Sequence, residues 1–200
     1  MKIIFIILIA YLLGNFSSAY LIGKFFKNMD IRKSGSGNAG ATNVVRVMGK
    51  KFGVITFLLD FLKGIIAVVL GNSIIGYNGG LLAAIFVVIG HDWPLLLGFK
   101  GGKGISTTIG CYAILNFPIA LISVIVGIVV ALISKFVSLG SIVFLTSMPV
   151  LYLMFSDEFD KYFFLLTIVF AIIGVYKHKD NIKRLIKGEE NRIGGWLNEW

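Results

Sequence analysis

The chain has 200 residues, 57% of them hydrophobic and 14% charged, against about 45–50% and about 25% in a soluble domain. With a mean hydropathy of +0.90 this excludes an ordinary water-soluble globule, and the single cysteine, Cys111, excludes an internal disulfide and with it the small secreted scaffold. A net charge of +9 suits nucleic acid in principle, but in so apolar a chain basic residues more often line the cytoplasmic face of a membrane; the expected partner is the lipid bilayer and no nucleic acid.

A transmembrane helix needs about 20 mostly apolar residues, and such runs lie at 3–23, 52–75, 80–97, 137–155 and 162–176. The first run has a rival reading as a signal peptide, with Lys2 ahead of an apolar core and Ser17, Ser18 and Ala19 resembling a cleavage site. Its apolar character continues through Leu21 and Ile22 to Lys24, however, as before a stop-transfer flank. One helix over 101–134 would be roughly 50 Å long, too long to cross once without severe tilt. Asn116, Phe117 and Pro118 interrupt it, which predicts two short helices joined by a turn. The expected fold is an all-α integral membrane protein of seven transmembrane helices, a single membrane-embedded domain over 1–200.

Seven spans alternate the loops so that sixteen lysines and arginines share one side with Asp30, Asp92, Asp180, Glu189, Glu190 and Glu199. Lys2, Lys161, Asp157, Glu158 and Asp160 fall on the other, and Asp60 and Lys63 lie within a span. Six spans would throw either the basic loop 24–51 or the basic tail 177–192 outside, against the positive-inside rule. The N-terminus is therefore expected outside and the C-terminus in the cytoplasm.

Polar chemistry collects in three cytoplasmic segments, 24–51, 98–108 and 177–193. The first contains GSGNAGATNVVR, residues 35–46. Small residues let the backbone turn tightly and present N–H groups to an anion, and Arg46 can grip phosphate bidentately. Gly35, Gly37 and Gly40 also spell the dinucleotide fingerprint GxGxxG, but the residues before it, KNMDIRKS, are polar and follow a membrane span instead of forming a buried strand. Inside the second span Asp60 and Lys63 stand three residues apart on one helical face and can neutralise each other where a lone charge is expensive; this pair is expected to position the loops.

The second segment, GFKGGKGISTT over 98–108, surrounds Lys100 and Lys103 with glycines and opens a helix with Ser106, Thr107 and Thr108. Cations, hydroxyls and helix N–H groups together again suit an anion. It is not a Walker A loop, because Gly104 stands where Ser or Thr is required and Leu97 where glycine is. In the third segment, His178, Asn181 and Arg184 recur at i, i+3 and i+6, close to one helical face. Ile182, Leu185 and Ile186 give the same stretch the pattern of an interfacial amphipathic helix.

GSGNAGATNVVR, DFLKG, HDWPLLLGFKGGKGISTT, FVSLGSI and HKDNIKRLIKGEENRI, in this order and between these spans, resemble the acyl-phosphate:glycerol-3-phosphate acyltransferase family of bacteria (the PlsY family). The resemblance covers essentially the whole chain; its departures are Ala39, where the family commonly has proline, and Lys179, where arginine commonly follows the histidine. It implies transfer of a fatty acyl group from acyl phosphate to the 1-hydroxyl of glycerol 3-phosphate, giving lysophosphatidic acid and phosphate. This is the entry step of phospholipid synthesis, at the cytoplasmic face of the bacterial inner membrane.

The residues agree with those demands and also lack other machinery. Thioester-dependent acyltransferases of the membrane surface rely on a histidine and an aspartate separated by four residues, whereas Leu96 follows His91 and Lys183 follows His178 at that distance. Cys111 lies in an apolar stretch unsuited to a thiolate, and no carboxylate cluster suggests a divalent metal, so neither metal nor cofactor is expected. Ser36, Gly37, Asn38, Thr42 and Asn43 with Arg46 are expected to hold one phosphate. Gly102, Lys103, Ser106 and Thr107 hold the other, with Lys103 stabilising charge on the carbonyl oxygen. His178, Asn181 and Arg184 would orient glycerol 3-phosphate, and Ser141 is a further candidate contact. The proton of the attacking hydroxyl is expected to go to a substrate phosphate oxygen, with His178 as the other base. The alternative is a transporter of an organic phosphate, against which the chain shows no internal repeat of the kind common in transporters.

Overall fold

The structure, a computed structural model, describes residues 1–194; Glu199, counted above among the cytoplasmic charges, lies outside them. All regular elements among the described residues are helical, and packing divides the chain into two units, Met1–Leu115 and the part from Asn116 onward.

The first unit contains α1 (Lys2–Asn15), α2 (Ser18–Lys27), α3 (Ala41–Met48), α4 (Lys50–Ile75), α5 (Tyr77–Asp92) and α6 (Ile105–Leu115). The run expected as one helix over 3–23 is thus two, parted at Phe16 and Ser17, whose backbones are extended with ψ of 98° and 97°. The break exposes carbonyls that an intact helix would use internally, and Lys63 Nζ from α4 donates to two of them, Phe16 O at 2.8 Å and Gly14 O at 3.3 Å. α4 packs against α1, α3, α5 and α6 and is the axis of the unit. Its crossings rest on glycine: a Cβ added to Gly64 would strike the Thr107 carbonyl, and one on Gly110 the Phe61 carbonyl. Close approach of backbones is how apolar helices gain packing energy where lipid removes the hydrophobic drive. Leu58, Leu62, Ile66 and Val69, at helical spacing on α4, stay exposed as a lipid-facing stripe would.

The apolar run expected over 80–97 is helical only to Asp92, because Pro94 disfavours helix at Trp93; a 3-10 turn, Leu95–Leu97, completes it. α6 has 11 residues, about 16 Å of helix, so it covers roughly half of a hydrocarbon layer about 30 Å thick.

The second unit holds α7 (Phe117–Ser134), α8 (Val137–Phe155), α9 (Lys161–Lys177) and α10 (Lys179–Lys187). The break expected at 116–118 is present: Asn116 Oδ1 accepts from Ile119 N at 3.3 Å and Pro118 occupies the first turn of α7, where its missing N–H costs nothing. α7 and α8 approach at Gly127 and Gly140, and Ser123 Oγ donates to Phe144 O at 2.6 Å across them. α9 starts at Asp160, which accepts from Tyr162 N and Phe163 N, and packs its Gly174 against Leu145. α10 leaves α9 at 59°.

Among the described residues, five helical stretches are long and apolar enough to cross a membrane, and six if the bent pair α9–α10 is one crossing; α6 is apolar but shorter.

Candidate functional site

The first polar segment is built by short-range bonds. Asp30 caps the 3-10 turn Ile31–Lys33 through Arg32 N, and Arg32 Nε and Nη2 return to the same carboxylate at 2.9 and 2.8 Å. These hydrogen bonds hold the Asp30 carboxyl below its ordinary range and push Arg32 above its own. The remaining guanidinium nitrogen, Nη1, donates to Leu97 O at 2.7 Å, tying the first segment to the start of the second.

Beyond that turn, Gly35 and Gly37 adopt positive φ of 59° and 73°, which only glycine takes without strain. Asn43, 1% exposed, staples the loop they form. Its Oδ1 accepts from Ser36 N at 2.8 Å, and its Nδ2 donates to Ile31 O and Ser34 O at 3.1 and 3.0 Å. A Cβ on Gly35 would strike this Asn43 oxygen and lie 3.4 Å from Arg46 Cδ, so the Arg46 stem runs along the loop. Ser36, Gly37 and Thr42 are exposed, while Asn38 and Arg46 are half-buried.

The second segment folds onto the end of α5. Gly102 N donates to His91 O at 3.1 Å. A Cβ on Gly102 would strike His91 Nε2 and stand 3.0 Å from Ala39 O, so both glycine-rich loops and the imidazole meet at this point. Gly104, with φ of 68°, turns the chain into α6 beside the buried Asp92, whose Oδ1 lies 3.1 Å from the position of an added Cβ. A carboxylate there complements the positive end of the helix. Lys103 and Ser106 are half-buried; Thr107 is fully buried where α6 meets α4.

Beneath the loops lies a buried charged group. Lys63 Nζ is 2.9 Å from Asp60 Oδ1 and 2.8 Å from His91 Nδ1, and Ser18 Oγ donates to Asp60 Oδ1 at 2.9 Å. All four side chains are at most 6% exposed.

In the second unit His178 sits where α9 turns into α10, 2% exposed. Its Nδ1 is 2.7 Å from Gly174 O; a carbonyl only accepts, so Nδ1 carries the proton and Nε2 is the acceptor nitrogen. Asn181 Nδ2 and Arg184 Nε both donate to the buried Glu190, each at 2.8 Å. The carboxylate reaches them because Gly188, at φ of 73°, reverses the chain after α10. Ser141 is half-buried in the first turns of α8 and donates to Val137 O of its own helix at 2.9 Å.

Sequence reasoning left out Arg32, His91 and Glu190. Glu190 had a signal in the turn-forming Gly188 just before it. His91 had one in its place at the end of an apolar run, just ahead of GFKGGKG, but its partner Lys63 is 28 residues away. Among the described residues, no three of His, Cys, Asp and Glu group as a metal site requires.

The chain matches the family described as glycerol-3-phosphate acyltransferase over residues 4–188. It is 46% identical to the glycerol-3-phosphate acyltransferase of Alkaliphilus metalliredigens, over 94% of this chain and 95% of that one. With the enzyme of the same name from Clostridioides difficile it shares 43%, over 96% and 95%. It is also similar to two crystal structures of PlsY, an integral membrane glycerol 3-phosphate acyltransferase. The glycerol 3-phosphate form gives a TM-score of 0.92 at 35% identity, covering 100% of both chains. The lysophosphatidic acid form gives 0.88 at 34%, over 98% of this chain and 99% of that one.

Proposed function

Because this chain belongs to the glycerol-3-phosphate acyltransferase family, we propose that the fatty acyl group it transfers to glycerol 3-phosphate comes from acyl phosphate, and that the loops at 35–46 and 98–108 receive the two phosphates. The enzyme is a multi-pass membrane acyltransferase of phospholipid synthesis. Its products in this reading are lysophosphatidic acid and inorganic phosphate.

The observation that carries the reading is the meeting of the two glycine-rich loops at Ala39, Gly102 and His91. Two substrates that each bear phosphate require two anion seats close together, and each loop brings one cation, Arg46 or Lys103. Ser36, Gly37, Asn38 and Thr42 line the first seat, which Asn43 shapes by holding the loop. Gly102 and Ser106 line the second, and the buried Thr107 supports it from below. The hydroxyl oxygen of glycerol 3-phosphate attacks the acyl carbon, Lys103 steadies the charge that develops on the carbonyl oxygen, and the carbon–oxygen bond to phosphate breaks. Acyl phosphate is already an activated anhydride, so orientation and electrostatics suffice and no metal or cofactor enters the steps.

His178, Asn181 and Arg184 are assigned to orienting glycerol 3-phosphate, with Ser141 as an additional contact. The hydroxyl proton goes to an oxygen of the departing phosphate. A second reading, in which His178 takes it, is favoured by the Gly174 carbonyl, which fixes the tautomer a base needs.

For topology we infer seven crossings with the N-terminus outside and the C-terminus in the cytoplasm, in the bacterial inner membrane. The charge distribution supports this, and so does the packing of the non-helical residues 98–104 against His91 and Asp92. Irregular backbone is tolerated at membrane depth when protein covers it, so α6 with this loop makes up the length of a crossing.

Steady-state kinetics of Arg46→Ala, Lys103→Ala and His178→Gln test the assignment. Arg46→Ala should raise KM and Lys103→Ala should cut turnover about 100-fold or more; near-normal kinetics in both would overturn the site. A loss in His178→Gln of about 100-fold or more in kcat would select the histidine base, and retained turnover the phosphate base.

A further inference from the structure

The buried cluster of Asp60, Lys63 and His91 has no part in the mechanism. Its geometry is directional. The Lys63 ammonium has three protons, and its three short contacts are Asp60 Oδ1 at 2.9 Å, Phe16 O at 2.8 Å and His91 Nδ1 at 2.8 Å. Having only donors, the ammonium forces Nδ1 to accept, which leaves the imidazole proton on Nε2. Asp60 Oδ1 stands 3.6 Å from Nδ1, beyond hydrogen-bond reach, and its part is to hold the ammonium in place. Nε2 is the nitrogen beside Gly102, where even a methyl group on Gly102 would collide with it and stand 3.0 Å from Ala39 O. The same residue's main-chain oxygen accepts from Gly102 N at 3.1 Å.

We propose that His91 is a positioning residue for acyl transfer: locked as the Nε2–H tautomer by Lys63, which Asp60 holds in place, its ring is the floor on which the two phosphate loops meet, and it sets where Lys103 stands. This rests on the reading of those loops as phosphate seats. The buried ion pair then has a purpose beyond neutralising itself, since it fixes the orientation of a ring whose far edge carries the loop. The Phe16–Ser17 helix break belongs to the same device, because Phe16 O takes one of the three ammonium protons and leaves one for His91.

Two isosteres separate positioning from mere satisfaction of Lys63. In His91→Asn the amide oxygen replaces Nδ1 and keeps the Lys63 bond, but nothing reaches Gly102. In His91→Gln the amide reaches the Nε2 position under Gly102 and gives up the Nδ1 acceptor. The proposal expects His91→Asn to keep the melting temperature and lose about 100-fold in kcat/KM, the cost of a misplaced catalytic group, with His91→Gln recovering at least about tenfold of that loss. The reverse order, Asn active and Gln impaired, would overturn it and leave His91 a partner of Lys63 only. If either variant fails to fold, Gly102→Ala moves the loop without touching the ion pair. Loss of kcat/KM in Gly102→Ala that is not additive with the loss in Lys103→Ala supports the proposal, and full activity in Gly102→Ala contradicts it. Lys103→Ala measured alongside keeps the two claims apart: normal activity there sinks the phosphate-loop reading itself, whereas a crippled Lys103→Ala with the wrong order of His91 variants sinks only this inference.

Discussion

The Asn43 side chain joins three backbone groups, Ser36 N, Ile31 O and Ser34 O, in a place where water cannot replace it. Asn43→Ala should therefore destabilise by about 1–3 kcal/mol and reduce kcat/KM as the loop loosens. Asn43→Asp should do at least as much harm, because its carboxylate keeps the Ser36 bond but faces two carbonyls that need a donor. Thermal unfolding in detergent reads both, and a melting temperature unchanged in Asn43→Ala would contradict the staple. Asn43 looked like one of several phosphate ligands because it stands among Ser, Thr and Gly. Its burial assigns it to the loop's own backbone and leaves Ser36, Thr42 and Arg46 nearer the surface.

At the scale of the helix, crossings are tested by single cysteines in a Cys111→Ser background. A cysteine at Glu158, between α8 and α9, should react with a membrane-impermeant maleimide on intact spheroplasts. One at Lys183 on α10 should react only after the membrane is opened. Labelling of both from the same side would contradict the seven-crossing arrangement.

Most element positions were legible in the sequence because a membrane leaves few choices: α4, α8 and α9 begin and end within two residues of the expected runs. The α6–α7 break was legible too, since Asn116 and Pro118 carry their meaning locally. The α1–α2 break was not. Asn15, Ser17 and Ser18 mark it only by polarity, with no proline to stop the helix, and the carbonyls it frees are taken by Lys63, 47 residues from Phe16. The same holds for α6, whose start at Ile105 depends on how Gly101, Gly102 and Gly104 pack against His91 and Asp92. The site was legible where chemistry follows from composition, as in two glycine-rich cationic loops. It was hidden where side chains meet over long separations, as at His91 and Lys63. Glu190 was hidden because the turn at Gly188 decides where it points.

For the molecule as a whole, anionic substrates, a net charge of +9 and basic residues gathered in the loops fit together, since such a field draws phosphate compounds to the membrane face. A transporter of organic phosphate would use the same field, so charge alone does not separate the two; covalent chemistry does. The decisive measurement is product formation by the purified protein in lipid, given palmitoyl phosphate with and without glycerol 3-phosphate, and with no coenzyme A thioester or acyl carrier protein present. The account predicts phosphate release that requires glycerol 3-phosphate, matched by an equal amount of lysophosphatidic acid. No product from acyl phosphate, with lysophosphatidic acid formed only when a thioester is supplied, would contradict it.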